Sequence, residues 1–226
     1  VKKLMMVDFR HLIKFYDLSM KRLFDILSSL IAIIIFLPFS LIIILILRTT
    51  GEGEIFYFQE RVGKDSKIIR LIKFATMKKN SPNMGAGDIT VKSDPRVLPF
   101  GKILRKTKLN EVPQLLNVLS GDMSVVGPRP LVVNQHNMIP EKYKKNINKL
   151  KPGLSSIGSI IFRDEERFLS KNNDESNDFY RNEIVPFKAS IENWYFHNNS
   201  FFNDIMIIIF TISSILFPNS NHYKFF

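Results

Sequence analysis

One acidic side chain, Glu111, and one guanidinium, Arg129, bracket the most chemically loaded stretch of this chain, residues 104–130, LRKTKLNEVPQLLNVLSGDMSVVGPRP. Between them lie an amide-rich apolar run, a Gly121-Asp122 turn and a Gly127-Pro128-Arg129-Pro130 element. Carboxylate, amide and guanidinium groups at this spacing suit a site that handles a diphosphate. Arg129 stands between two prolines after the apolar Met123–Val126. Its backbone is therefore restricted, less ordering entropy is lost on contact, and bidentate phosphate binding is favoured. His11, His136, His197 and His222 show no metal-ligand spacing, and cysteine is absent, which excludes disulfides, thiolate metal sites and cysteine nucleophiles.

The net charge of the 226 residues, +11, calls for an anionic partner. Nucleic acid, anionic lipid and phosphorylated substrates are the three classes. No zinc spacing, basic leucine-zipper pattern or RNP-like strand is present, so nucleic acid is set aside and lipid and phosphate remain.

The elements that must carry these groups are of two kinds. Residues 26–47 are almost wholly apolar, and as a helix would measure about 33 Å, enough for a hydrocarbon core of about 30 Å. Pro38 sits in the middle, and both flanks are basic: Lys2, Lys3, Arg10, Lys14, Lys21 and Arg22 before, then Arg48, Lys64, Lys67, Arg70 and Lys73. With both ends drawn to one side, the expectation is a re-entrant helix that kinks at Pro38 and returns. No small-residue cleavage pattern follows, which argues against a signal peptide. The stretch Ile205–Phe217 is too short to span; with Trp194, Tyr195, Phe196, Phe201 and Phe202 nearby, it reads as a membrane-surface helix, the alternative being a buried core helix.

Between these, residues 55–77 alternate as two strands about a turn at 63–66, a β-hairpin. Residues 80–93 read as a Gly-rich loop that could cover a site, 98–119 as helical with an interruption near Pro113, 123–126 as a strand, and 163–183 as a solvated helix with loops. The fold class expected is α+β: a mostly helical, membrane-associated domain with a β-hairpin and an N-terminal re-entrant membrane helix. Its parts are a basic segment 1–19, the membrane helix 20–48, and a body 49–226 with a surface helix near 205–217.

Several spaced motifs accompany this layout: Lys21-Arg22 with Asp25; Phe58, Gln59, Arg61 and Gly63; Lys73, Phe74, Thr76 and Met77; Asp94, Arg96, Gly101, Leu104 and Arg105; Glu111 through Pro130; and Asn199, Ser200 and Asp204. Through them the chain, from Met20 to Phe217, resembles the bacterial sugar transferases, the monotopic polyprenyl-phosphate phosphoglycosyl transferases. The resemblance implies transfer of a phospho-sugar from a UDP-sugar to polyprenyl (undecaprenyl) phosphate, with release of UMP and use of Mg²⁺, at the cytoplasmic face of the inner membrane. It implies Glu111 and Asn110 as the catalytic pair, with Glu111 holding the metal. It implies Arg129, Lys151, Arg105, Arg61 and Lys73 on substrate phosphates, and Gln114, Asp122, Asp94 and Arg96 in support. Asp94 with Arg96 reads equally as an internal ion pair, and Asp122 more as a turn residue than a metal ligand. A homodimer on the membrane is compatible with this picture.

One position breaks the pattern. In the family an aspartate precedes the glutamate and attacks the β-phosphorus, whereas this chain has Asn110, whose neutral carboxamide is a weak nucleophile and a poor Mg²⁺ ligand. Three readings stay open: Glu111 serves as nucleophile or metal ligand while Asn110 binds phosphate or water; polyprenyl phosphate attacks directly; or the chain is a catalytically silent, membrane-bound UDP-sugar-binding or scaffold member. Ala75, Leu37 and Lys151 also depart from the family's usual residues, and Lys151 keeps charge but loses the guanidinium fork.

Overall fold

The computed structural model describes residues 18–84, 94–162 and 178–217. Most of the basic segment 1–19, residues 85–93 of the loop expected at 80–93, and residues 163–177 of the segment expected to be solvated lie outside the described residues.

The first element, α1 (Leu18–Thr49), is longer at both ends than the apolar run alone required, and Pro38 lies within it. It is long and apolar enough to cross a membrane, and only 11% of its most apolar window is buried in the protein. Leu27, Leu30, Ile31, Ile34, Ile35, Leu41 and Ile42 are bare. Its two ends behave otherwise. At the start, Arg22 donates to the carbonyls of Val118 and Leu119 at 2.6 Å each. Asp25 accepts from the Ser124 hydroxyl and the Val125 N–H, each at 2.9 Å. Lys21 pairs with the buried Asp204, whose other oxygen accepts from Tyr195 Oη at 2.5 Å. At the far end, Ile43 and Leu47 are buried with Phe74 and Leu104.

The hairpin forms as expected: β1 (Phe56–Val62) pairs antiparallel with β2 (Ile68–Phe74), Gln59 opposite Leu71 and Tyr57 opposite Lys73. The helical stretch expected over 98–119 with an interruption near Pro113 forms as two helices, α2 (Pro99–Lys106) and, directly after Pro113, α3 (Gln114–Ser120). Lys108 takes left-handed backbone angles (φ 61°) and opens a 3₁₀ turn over Leu109–Glu111. Such angles in a residue with a Cβ are uncommon and held by their surroundings. The Asn117 side chain acts as a false strand beside β2, accepting from Ile72 N–H (3.0 Å) and donating to the Arg70 carbonyl (2.8 Å).

The expected strand, β3 (Ser124–Val126), has a partner that the sequence pattern did not reveal: it runs parallel to β4 (Gly153–Ser155). α4 (Val133–Asn137) and α5 (Glu141–Ile147) lie between them in sequence. The two backbones approach so closely that a Cβ on Gly127 would sit 2.3 Å from the Lys151 carbonyl oxygen, and one on Gly153 would sit 2.1 Å from Gly127 N. Gly127 N–H donates to Ser155 O (3.0 Å) and Gly153 N–H to Pro128 O (2.8 Å). These two glycines thus clamp the backbone that presents Arg129.

α6 (Ile157–Ile161), α7 (Val185–Asn198) and α8 (Phe201–Leu216) close the fold, with a π-helical turn at Tyr180–Ile184 leading into α7. The central cluster joins Val126, Ile157, Ile160, Tyr195 and Ile207. α8 starts four residues earlier than its apolar run, at a cap where Ser200 accepts from Asn203 N–H. It buries Ile207 but leaves Phe201, Phe202, Ile209, Ile212 and Leu216 exposed.

Candidate active site

The 3₁₀ turn after Lys108 presents Glu111 to a field of positive charge. Arg129 follows the end of β3, Lys73 lies on β2, Arg105 on α2, and Lys108 on the turn itself; all four act on the Glu111 carboxylate. Burial pushes its pKa up, but these cations outweigh that and hold it below the ordinary carboxylate range. Lys73 feels the reverse. Burial, aided by Arg61, Arg129 and Arg105, pushes its ammonium down to about 7 against the opposing pull of Glu111. Four cations act on this one carboxylate, an arrangement that favours an incoming anion.

Lys73 and Arg61 share an anchor. Gln59 Oε1 accepts from Arg61 Nη2 at 2.7 Å and from Lys73 Nζ at 3.2 Å. Arg61 also reaches the Pro130 carbonyl at 3.4 Å, tying the hairpin to the Arg129 element. Arg129 itself is exposed, and its Nη1 donates to Ser159 Oγ at 3.3 Å. Asn110, beside Glu111, is buried, and its Oδ1 has no hydrogen-bond partner among the described residues. An unpaired buried acceptor is costly, on the order of 1–3 kcal/mol, and marks the turn as strained in composition as well as in backbone.

Glu111, Arg129, Arg105, Arg61 and Lys73, named from the sequence, therefore come together, and Gln114 is buried on the first turn of α3 next to them in sequence. Lys151 does not join them. Its charged neighbours are Arg22, Asp25, Lys64 and Asp122, and its ammonium would lie 3.5 Å from a Cβ on Gly121, at the end of α3. There it complements the helix C-terminus, as Arg22 does through two carbonyls. Asp122 is exposed and accepts from Ser120 Oγ at 2.9 Å, a turn contact. Asp94 and Arg96 form a buried ion pair at 2.7 Å, and Arg96 Nη1 also donates to the carbonyls of Ser81 and Met84. That pair pins the backbone on either side of residues 85–93.

Gln59, Lys108 and Ser159 are site residues the sequence reasoning did not assign. The signal for Gln59 was present: about a hairpin turn, alternation puts Gln59 and Arg61 on the face that carries Lys73. Lys108 and Ser159 left no such trace, because a left-handed residue and a tertiary contact have no periodicity.

With this geometry in place, comparison with known proteins is direct. The family description "Bacterial sugar transferase" matches residues 16–218. The exopolysaccharide production protein PSS of Rhizobium leguminosarum is 37% identical over 151 residues, covering 64% of this chain and 74% of that protein. ExoY, an exopolysaccharide production protein of Rhizobium meliloti, is 28% identical, covering 89% and 88% of the two chains. The undecaprenyl-phosphate galactose phosphotransferase of Salmonella typhimurium is 32% identical over 87% of this chain, which spans only 40% of its length. The extent of these matches, over the same residues that build the cation-ringed Glu111 turn, places the chain in the bacterial sugar transferase family.

Proposed function

We propose that this chain moves a phospho-sugar from a UDP-sugar to polyprenyl phosphate at a membrane surface, the opening step of glycan assembly on a lipid carrier. The observation that carries the reading is the Glu111 carboxylate, held ionised among Arg129, Lys73, Lys108 and Arg105. Relatives of this chain include a protein named for galactose phosphate transfer to undecaprenyl phosphate and one named for the corresponding glucose phosphate transfer.

In this reading Arg61, Lys73, Arg105 and Arg129 hold the donor diphosphate, and Gln59 sets two of them. Asn110 cannot attack phosphorus, and Glu111, its charge held by four cations, is a weak base; the nucleophile is an oxygen of polyprenyl phosphate. That oxygen forms a bond to the β-phosphorus while the bond from the β-phosphorus to the bridging oxygen breaks. UMP departs with the electron pair. The cations neutralise charge on the departing group.

Among the described residues no group of three or more His, Asp or Glu side chains gathers for a metal. The donor set nevertheless suits Mg²⁺, which binds through one or two carboxylates plus substrate phosphate oxygens. Glu111 would hold it, and the ion would supply further neutralisation of diphosphate charge.

The membrane arrangement belongs to the same proposal. Both ends of α1 pack on one body while its middle is bare, and both flanks are basic. This supports a re-entrant helix anchored on the cytoplasmic face of the inner membrane, with the exposed apolar side of α8 lying in the headgroup layer.

The test is an assay of the detergent-purified chain with Mg²⁺, polyprenyl phosphate and a panel of UDP-sugars, following UMP and the lipid product. Product from the native chain, with no phosphosugar bound to the protein by intact mass, supports direct transfer. A protein-bound phosphosugar lost in Glu111→Gln overturns the direct route in favour of a covalent one. No product from any sugar, with activity appearing in Asn110→Asp, overturns the transferase reading in favour of a catalytically silent member.

A further inference from the structure

The Arg129 element is held by more than its two prolines, and part of the hold comes from an acid distant in sequence. Glu192 lies on α7 and is buried. Its Oε1 accepts from the Gly158 N–H of α6 at 3.3 Å. The absence of a side chain at residue 158 permits this approach, since a Cβ there would lie 2.7 Å from Oε1. The Ser156 hydroxyl and the Arg129 backbone N–H also hydrogen-bond the carboxylate. The guanidinium end of Arg129 is tied to the same group by a second route. Arg129 Nη1 donates to Ser159 Oγ at 3.3 Å, and the Ser159 and Ser156 hydroxyls share a bond of 2.8 Å. Glu192 thus meets one end of Arg129 directly and the other through two serines.

Electrostatics argue against stability as the reason for this carboxylate. Burial drives the Glu192 pKa up to about 7, against the opposing pull of the Gly158 N–H, Ser156, Lys188 and the Arg129 N–H. An acid whose pKa is higher in the folded chain than in the unfolded one binds its proton more tightly when folded. Ionising it therefore costs stability, and the cost grows as pH rises from the ordinary carboxylate range to about 7. A buried acid that weakens the fold is a candidate for a functional task. Its charge does not serve a neighbouring anion either, because a carboxylate repels phosphate. What remains is geometry: acceptor oxygens that fix the course of the backbone at Arg129 and the set of its side chain. A fork aimed in advance loses less ordering entropy when phosphate arrives.

We propose that Glu192 is a positioning residue for phosphate binding: it holds the Arg129 N–H and, through Ser156 and Ser159, the Arg129 guanidinium, and so aims that fork at the donor diphosphate. The assignment rests on the transferase reading above, in which Arg129 holds that diphosphate.

The experiment is a double-mutant cycle on the detergent-solubilised full chain: native, Glu192→Gln, Arg129→Met and the two together, each titrated with inorganic pyrophosphate and with UDP. Glu192→Gln keeps the shape of the side chain but removes the charge that strengthens its N–H bonds. The expected result is binding of both ligands weakened about tenfold, with a melting temperature above pH 7 no lower than native. In the Arg129→Met background the same change should weaken binding no further. With isotopically labelled arginine, the Arg129 amide resonance, identified by its absence from Arg129→Met, should move upfield in Glu192→Gln. Unchanged or tighter binding in Glu192→Gln overturns the proposal, since loss of a negative charge alone would favour an anion. Equal weakening in the native and Arg129→Met backgrounds also overturns it, because Glu192 would then reach the site by another route. An unmoved Arg129 resonance does the same. If the cycle holds but the native chain forms no lipid product from any UDP-sugar, the transferase reading falls and the positioning of Arg129 stands. If the native chain binds neither ligand, both fall.

Discussion

Two carboxylate–cation assemblies in this molecule use the same chemistry to opposite ends. Asp94 faces Arg96 one to one: it accepts from the Arg96 backbone N–H, Nε and Nη2, and Arg96 spends Nη1 on the carbonyls of Ser81 and Met84. Both residues are buried. Glu111 instead faces four cations, one of them with its pKa pushed down to about 7 by burial and by its positive neighbours. The contrast separates a rivet from a receptor: a buried pair whose guanidinium is tied to neighbouring carbonyls holds backbone, while a carboxylate met by several cations suits an incoming anion.

The comparison can be broken most forcefully at the rivet. Asp94→Asn removes the carboxylate that pairs with the buried Arg96 guanidinium, and should cost on the order of 3–5 kcal/mol in stability, read as a large fall in the detergent-phase melting temperature. The folded fraction should still bind UDP like the native chain. Glu111→Gln should act chiefly on function. Its melting temperature should fall too, but by less than in Asp94→Asn, because the lost carboxylate is one whose depressed pKa stabilises the fold, while UMP release should fall by about 10²–10³-fold. Equal effects of the two changes on stability would erase the distinction.

Arg129→Lys sharpens the receptor side. It keeps charge but removes the fork, and UDP affinity should drop about tenfold in titration calorimetry while thermal stability holds. Lys73 adds a pH signature. Its ammonium loses the proton near pH 7 in the free protein, and bound phosphate favours the charged form. Binding must therefore take up a proton above that pH, and UDP affinity should fall about tenfold between pH 7 and 9. Lys73→Met should flatten that slope, and calorimetry in buffers of different ionisation enthalpy would count the proton. The smallest effect is expected at Lys151. Because its neighbours are Arg22, Asp25, Lys64 and Asp122, Lys151→Met should leave UDP affinity within about twofold of native, well under 1 kcal/mol. A tenfold loss there would return Lys151 to the phosphate site.

Some of this was written along the chain. The apolar run that became α1, the alternation about Gly63, and the proline bracket around Arg129 are local patterns, and local sterics and hydrophobicity suffice to read them. The family motifs carried the expectation that Glu111, Arg105, Arg61 and Lys73 belong together. Other features needed the folded molecule. The β3–β4 pair joins Ser124 to Gly153 across two intervening helices, and a three-residue parallel strand has no pattern of its own. The left-handed Lys108 is imposed by the turn it serves rather than announced by its residue type. Lys151 was placed with the phosphates by motif but with Arg22 by the packing of α1 on α3, and nothing along the chain marked Glu192 for burial against α6. Periodicity and residue type determined which groups this chain could bring to its chemistry; which of those groups meet, as Glu111 meets Arg129 and Lys73, depended on long-range contacts that only tertiary packing decides.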